Sequence, residues 1–179
     1  MNVCVFCSAS DVGEPFESAA RDFAAGLGRE GHSLVWGGSD TGLMHVLAST
    51  AQQCGARIIG VSVEFLRHKI KQDADEMIVA LNLPERKKIL LERSDALIIM
   101  VGGVGTLDEA TEMLELKKHR HHDKPIIFLN TDGFYDGLRV QLEKMGSLGF
   151  LPRPLAELAF FASTADDALL CLTSELRAD

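Results

Sequence analysis

Residues 96–109 have the sequence ALIIMVGGVGTLDE. The first six are apolar without alternation, which is typical of a strand that is covered on both faces of a parallel sheet. Three glycines and a threonine follow, and an acidic amphipathic segment comes after them. This order predicts a strand at Ala96–Val101, a tight turn that the glycines permit, and a helix at Thr106–His119.

Short apolar runs alternate with longer amphipathic ones along the whole chain. Such alternation is typical of a parallel sheet with right-handed crossovers, so we predict a doubly wound α/β fold with helices on both faces. Glu64–Glu76 is polar and mixed, which suits either a short helix or a mobile segment. The further predicted strands are Asn2–Phe6, Ser33–Trp36, Arg57–Val61, Met77–Ala80, Pro125–Leu129 and Leu158–Ala162, and the further predicted helices are Glu14–Arg29, Gly42–Cys54, Pro84–Arg93, Gly133–Met145 and Thr164–Leu176.

The composition is that of an ordinary globular protein. The chain has 179 residues, 46% apolar and 25% charged, and no stretch resembles a linker, so we predict a single domain over residues 1–179. Its 26 acidic and 18 basic residues give a formal charge of −8, which argues against nucleic acid as a partner. No apolar run approaches the ~18 residues of a membrane helix, and the first residues lack a basic signal-peptide region. We therefore expect a cytoplasmic protein without a membrane partner.

Two groups of residues have the side chains that metals prefer. Cys4 and Cys7 form a C-x-x-C within a predicted strand, where residues three apart point to opposite faces, so we interpret both as core residues. His119 and His122 would share one face of a helix, but they lie at its C-terminus, where cationic side chains are favoured in any case. We therefore predict no bound metal.

Glycine-rich turns follow two of the predicted strands. Ligands of a doubly wound sheet bind at the carboxyl ends of its strands, and glycines let an anion approach the backbone amides that open the next helix. The spacing fits neither G-x-G-x-x-G nor a Walker loop, so we predict a site for a mononucleotide or a sugar phosphate. Thr106 would cap the following helix or donate its hydroxyl to a phosphate oxygen. The glycines of the two turns are Gly37, Gly38 and Gly42, and Gly102, Gly103 and Gly105.

Charged side chains flank the second of these turns. Glu109 lies about one helical turn beyond Gly105, and because a carboxylate repels a phosphate, we expect it to face ribose hydroxyls or an attacking water. Arg86, Lys87 and Lys88 stand at the start of another predicted helix, where the helix dipole disfavours cations. A bound anion would offset this placement, and a solvated basic face is the alternative interpretation.

Five motifs resemble those of the LONELY GUY family, cytokinin-activating nucleoside 5′-monophosphate phosphoribohydrolases that are often mislabelled as lysine decarboxylases. VGGVGTLDE at Val101–Glu109 resembles the family signature P-G-G-x-G-T-x-x-E. VFCSAS at residues 5–10 and LVWGGSDTGLM at residues 34–44 resemble V-F-C-G-S-S and Y-G-G-G-x-x-G-L-M. ERK at residues 85–87 and KPIIFLNTDGFYDGL at Lys124–Leu138 resemble E-R-K and K-P-x-x-x-L-N-x-D-G-Y-Y-x-x-L. The resemblance covers nearly the whole chain.

The resemblance implies a Rossmann-like fold, a homodimer with sites at the subunit interface, and hydrolysis of a nucleotide's N-glycosidic bond to ribose 5-phosphate and free base. The reaction that it implies requires no metal or organic cofactor. Glu109 would stabilise the oxocarbenium-like state, hold the ribose or activate water, and Arg86 would orient the substrate or Glu109. The residues that we expect to bind the nucleoside monophosphate are Gly102, Gly103, Gly105, Thr106, Lys87, Ser8, Gly37 and Gly38.

Four departures from the family pattern bear on the base that is released. A cytokinin riboside monophosphate or AMP is the expected substrate. One alternative is an N-glycosidase for CMP or hydroxymethyl-CMP in nucleoside-antibiotic biosynthesis, and another is a nucleotide-binding carrier or sensor without turnover. Retention of both Arg86 and Glu109 favours an enzyme, because a carrier needs only the phosphate loop. The departures are Val101 for proline, Leu83-Pro84 for Met-His, and Ser8 and Ser39 for glycines.

Overall fold

One parallel β-sheet forms the centre of the protein, which the computed structural model describes for residues 1–175. The strands in these residues are β1 Asn2–Phe6, β2 Ser33–Trp36, β3 Ile58–Val63, β4 Glu76–Ala80, β5 Ala96–Ile99, β6 Ile126–Leu129 and β7 Phe160–Ala162. Their order in the sheet is β4-β3-β2-β1-β5-β6-β7, and each neighbouring pair is parallel. The apolar runs take this arrangement because helices cover both faces of the sheet.

The helices form two layers. They are α1 Phe16–Arg29, α2 Gly42–Gln53, α3 Leu83–Glu92, α4 Val104–Lys118, α5 Asp136–Ser147, α6 Leu155–Leu158 and α7 Ala165–Glu175. One layer contains α1, α2 and α7, which pack with Val5 and Trp36 of the sheet. The other contains α3 to α6, which pack with Leu97 and Phe128. This is the Rossmann-like, doubly wound α/β fold that the sequence predicts.

The strand order reverses between β1 and β5. From β1 the chain moves outward through β2 and β3 to β4, and it then returns to place β5 on the other side of β1. Two backbone hydrogen bonds continue this pairing past the strand ends, from Met100 N to Phe6 O at 2.9 Å and from Ser8 N to Val101 O at 3.0 Å. A crevice opens at such a reversal, and it is the usual ligand site of an open α/β sheet.

Some boundaries differ from the predicted ones. α4 begins at Val104 rather than Thr106, because Gly103 takes the extended N-cap conformation and the helix starts directly behind it. The predicted strand Leu158–Ala162 opens instead with the last residue of α6, a helix of four residues that is too short to show helical periodicity. The predicted end of the last helix, Leu176, lies outside the described residues.

The polar segment after β3 is a short helix, one of its two predicted interpretations. A 3₁₀ helix spans Glu64–Lys69, and Ile70 then forms an isolated antiparallel bridge with Ser39, beyond the end of β2. The last residue of the segment, Glu76, is the first residue of β4. The segment therefore lies along the turn after β2.

Cys4 and Cys7 lie on opposite faces of the sheet, as the strand periodicity predicts. Cys4 packs in the core under α3 to α6 and Cys7 in the core under α1, α2 and α7. Burial raises the pKa of both thiols well above the ordinary cysteine range, so both stay protonated and unreactive. Within residues 1–175, no helix has the length and apolar character needed to cross a membrane.

Candidate active site

A buried ion pair joins the two helices that border the crevice. Arg86 of α3 donates from Nη1 to Oε1 of Glu109 on α4 at 2.7 Å, and the two residues are only 8% and 6% exposed. The Nε of Arg86 donates to the carbonyl oxygen of Val61 in β3 at 2.8 Å. The structure thus brings together the two residues that the sequence predicts as catalytic.

The start of α3 is fixed by a cap that places Arg86. Asn82 is the N-cap, and its side chain accepts a hydrogen bond from Glu85 N at 2.9 Å. Glu85 in turn accepts from Leu81 N at 2.6 Å, and Pro84 in the first turn has no amide hydrogen to satisfy. Arg86 follows directly on this first turn. The sequence carried the signal for this cap, an Asn followed three residues later by a Glu, but our sequence interpretation missed it.

The turn after β2 provides space for Arg86. A Cβ atom on Gly37 would lie 2.4 Å from Nη2 of Arg86, so the guanidinium occupies the volume that any other side chain needs. Gly38 has a φ of +75°, a conformation that favours glycine. Both residues are buried.

The amides that follow this turn already have acceptors. Leu43 N donates to Ser10 O and Met44 N donates to Ser8 O, each at 3.2 Å. The expectation that the amides after this turn are open to an anion is therefore corrected for Leu43 and Met44, because carbonyl groups of the residues that follow β1 accept their hydrogen bonds. The turn contributes to the site through the position of Arg86.

The turn after β5 is open. Gly103 is the N-cap of α4, and a Cβ atom on Gly103 or Gly105 would meet no other atom within 4 Å. The first-turn amides of Val104, Gly105 and Thr106 have no acceptor within the helix, and the positive end of the helix dipole lies with them. These features are those of an anion site at a helix N-terminus.

Thr106 lies in the first turn of α4 and does not cap it, which corrects one of its two predicted roles. The N-cap residue is Gly103, so no side chain caps this helix. A Cβ atom on Gly102 would lie 2.2 Å from Oγ1 of Thr106, so the hydroxyl packs directly over this glycine. Thr106 therefore holds its Oγ1 beside the open turn.

Carboxylates of α4 offset the cations at the start of α3. Lys87 Nζ lies 2.9 Å from Oδ2 of Asp108 and also contacts Glu112. Together with the Arg86–Glu109 pair, these contacts replace the bound anion that we expected to offset the cations. Lys87 also neutralises acidic charge that would otherwise repel an anion at the start of α4.

Ser8, a predicted substrate contact, and the histidines that were considered and rejected as metal ligands lie in different parts of the structure. Ser8 is half-buried at the end of β1, where its Oγ accepts from Ser10 N at 3.0 Å. His119 and His122 lie beyond the other end of α4, next to Glu115 and Met113 O. Within residues 1–175, no group of three or more His, Cys, Asp or Glu side chains is arranged to hold a metal ion.

Burial controls the charge of Glu109. It raises the pKa of this carboxyl above the ordinary glutamate value, and the Arg86 guanidinium opposes that rise without cancelling it. The result is a carboxylate that is poorly hydrated and held by a single strong hydrogen bond. Such a group can stabilise a cation or accept a proton from water.

The chain is similar to named proteins over most of its length. A family model described as "Possible lysine decarboxylase" matches residues 44–172. Two relatives are named cytokinin riboside 5′-monophosphate phosphoribohydrolase. The protein from Mycobacterium tuberculosis is 37% identical to this chain and that from Mycobacterium marinum 34%, each over 93% of this chain and 90% of the relative. The Moco carrier protein from Chlamydomonas reinhardtii shares the fold, with a TM-score of 0.76 at 23% identity over 99% of this chain and 98% of that one.

We predict that Glu109 titrates at a higher pH than Glu115 on the same helix. Burial favours the neutral form of Glu109, whereas the Lys118 ammonium lowers the pKa of exposed Glu115. As pH falls, a proton should therefore reach Glu109 first. Carbon-13 NMR of the side-chain carboxyls measures both pKa values, and the spectra of Glu109→Gln and Glu115→Gln assign the two signals. Arg86→Met should raise the pKa of Glu109 further, and a Glu109 value below that of Glu115 would contradict this account.

Proposed function

The chain belongs to the LONELY GUY family, and we propose that it hydrolyses the N-glycosidic bond of a nucleoside 5′-monophosphate to ribose 5-phosphate and free base. The observation that carries this proposal is the buried Arg86–Glu109 pair beside the open first turn of α4. An anion-binding turn and a buried carboxylate on the same helix suit a ligand with a phosphate at one end and an electron-poor carbon nearby.

The phosphate binds at the turn after β5. Amides of the first turn of α4 donate to its oxygens, and the open space beside Gly103 and Gly105 lets the phosphate approach the backbone. The Thr106 hydroxyl provides a further donor. This binding energy comes from a part of the substrate that does not react, and it holds the ribose in place for the reaction.

Glu109 acts on the ribose carbon that bears the base. As the bond from C1′ to the base nitrogen breaks, positive charge develops on the ribosyl ring, and a poorly hydrated carboxylate stabilises it strongly. Water then attacks C1′, its proton passes to Glu109 or solvent, and the departing base takes up a proton. Arg86 holds Glu109 in one orientation through the 2.7 Å hydrogen bond.

The remaining predicted contacts support this arrangement in different ways. Gly37 and Gly38 act through the space they leave for Arg86, and Lys87 acts through its ion pairs with α4. Ser8 lies at the strand reversal, where the nucleoside part of the substrate would extend. The names of the relatives favour an adenine-type base, including cytokinins.

We infer a cytoplasmic setting for this enzyme. Cys4, Cys7 and Cys54 form no disulfide, which suits a reducing compartment. The formal charge of −8 gives the surface no general attraction for nucleic acid.

The first test is a comparison of substrates. We expect release of free base from a nucleoside monophosphate among AMP, isopentenyl-AMP, CMP, GMP and UMP, measured by chromatography. The matching nucleoside and triphosphate should react far more slowly, because the turn after β5 holds one terminal phosphate. Preferred cleavage of CMP would assign the pyrimidine alternative. Tight binding of nucleotides in calorimetry, without release of any base, would assign the chain as a carrier and contradict the proposed activity.

The second test removes the charge of Glu109. Glu109→Gln keeps the shape of the side chain and should lower kcat by about 10²–10³, the usual cost of losing one group directed at the transition state. Nucleotide Kd should stay the same or fall slightly, since a negative charge near the phosphate is gone. Glu92→Gln, an exposed acid at the end of α3, is the control and should keep kcat within about threefold. Near-normal kcat in Glu109→Gln would make Glu109 a structural acid only.

The third test concerns assembly. We propose a homodimer, which the family resemblance implies, with the apolar groove between α4 and α5 as its interface. This groove has a volume of about 270 Å³ and is lined by Leu138, Leu142 and Phe150, and Phe150 is 69% exposed. Light scattering should give about 39 kDa, twice the 19.5 kDa of one chain. Phe150→Ser should favour the monomer, whereas Leu170→Ser, at an exposed position of α7, should not. A monomeric wild type at micromolar concentration would contradict the proposal.

A further inference from the structure

The segment after β6 folds into a turn that is held by its own side chains. Asn130 accepts a hydrogen bond from Tyr135 N at 2.6 Å and donates to Oδ1 of Asp136 at 2.9 Å. Asp132 and Gly133 have φ values of 53° and 69°, so the chain reverses sharply between them. The side chain of Asn130 thus determines where Tyr135 lies.

Tyr135 reaches from this turn to the neighbouring strand. Its ring packs edge-on against Phe128, with centroids 5.1 Å apart, and the residue is 5% exposed. Its hydroxyl donates to the carbonyl oxygen of Met100 at 2.7 Å. Burial raises the pKa of the phenol above its ordinary range, so the hydroxyl remains a donor at any pH at which the protein works.

Met100 lies between the end of β5 and the open turn. Its carbonyl is held by Tyr135 from the β6 side, and the next carbonyl, that of Val101, is held by Ser8 N at 3.0 Å from the β1 side. Both peptide groups before Gly102 are therefore fixed by neighbours on opposite sides. This gives the turn, and the unpaired amides that follow it, one orientation before any ligand arrives.

We propose that Tyr135 is a positioning residue for the substrate phosphate, acting through the Met100 carbonyl on the turn Gly102–Thr106. Its hydroxyl contacts the Met100 carbonyl, so Tyr135 acts on the phosphate through the backbone. The inference rests on the proposed function, since it takes that turn to be the phosphate anchor. It also gives a role to the NTDGFYD segment, residues 130–136, for which the sequence suggested none.

The test is Tyr135→Phe, which removes only the hydroxyl. We expect kcat/KM for the nucleoside monophosphate to fall about tenfold, as for the loss of one buried hydrogen bond, and mostly through KM. The inhibition constant of inorganic phosphate should rise by a similar factor. The slow cleavage of the matching nucleoside should not change, because that substrate has no phosphate to position.

Phe161→Leu separates positioning from stability. Phe161 stacks on Phe128 at 4.8 Å, so its truncation loosens the packing beside Tyr135 and lowers Tm without altering the Met100 contact. This variant should keep the KM of the wild type. An equal rise of KM in both variants, or no rise in Tyr135→Phe, would overturn the inference. A wild type that cleaves nucleoside and nucleotide equally would instead overturn the proposed phosphate anchor.

Discussion

The ion pair of Arg86 and Glu109 is the interaction on which the site depends. Removal of two charges from water costs several kcal/mol for each ion, and the 2.7 Å contact together with the Val61 carbonyl offsets that cost. Such a pair adds little to stability compared with apolar residues of the same size. Loss of one partner, however, leaves an uncompensated buried charge and costs about 3–5 kcal/mol. The arrangement is therefore best understood as a means of holding a reactive carboxylate.

Several features of the fold follow from this pair. The turn after β2 needs glycine at position 37 because the guanidinium fills the space of a side chain. The start of α3 needs its Asn82 cap because the position of Arg86 depends on where that helix begins. Lys87 adds a second link between α3 and α4, and it removes negative charge from the end of α4 where a phosphate would bind. Each of these residues helps to hold Arg86 and Glu109 together beside the start of α4.

Much of this architecture is predictable from the sequence, and the parts that are not depend on contacts between residues that are distant in the chain or on elements too short to show a pattern. The buried strands are predictable because they are apolar runs. Glu109 and the turn before it are predictable because they lie within one local motif. The contact between Arg86 and Glu109 spans 23 residues and a whole strand, so no local pattern encodes it, and only the family resemblance pairs the two residues before the fold is known. The two glycine-rich turns look alike in sequence, yet one is open and the other is filled by carbonyls from the end of β1, which local pattern does not encode. The short helix α6 lacks the length for periodicity.

The strand order has a consequence for synthesis on the ribosome. In chain order, β1 to β4 are made before β5, so the edge of β1 that pairs with β5 has no partner until β5 emerges. The residues of β1 are buried and mostly apolar in the finished sheet, so until β5 has emerged they offer a template for pairing with other chains. Arg86 is also made before Glu109 and has no carboxylate partner during that interval. The nascent chain therefore has an open β1 edge and an incomplete site until residues 96–109 arrive.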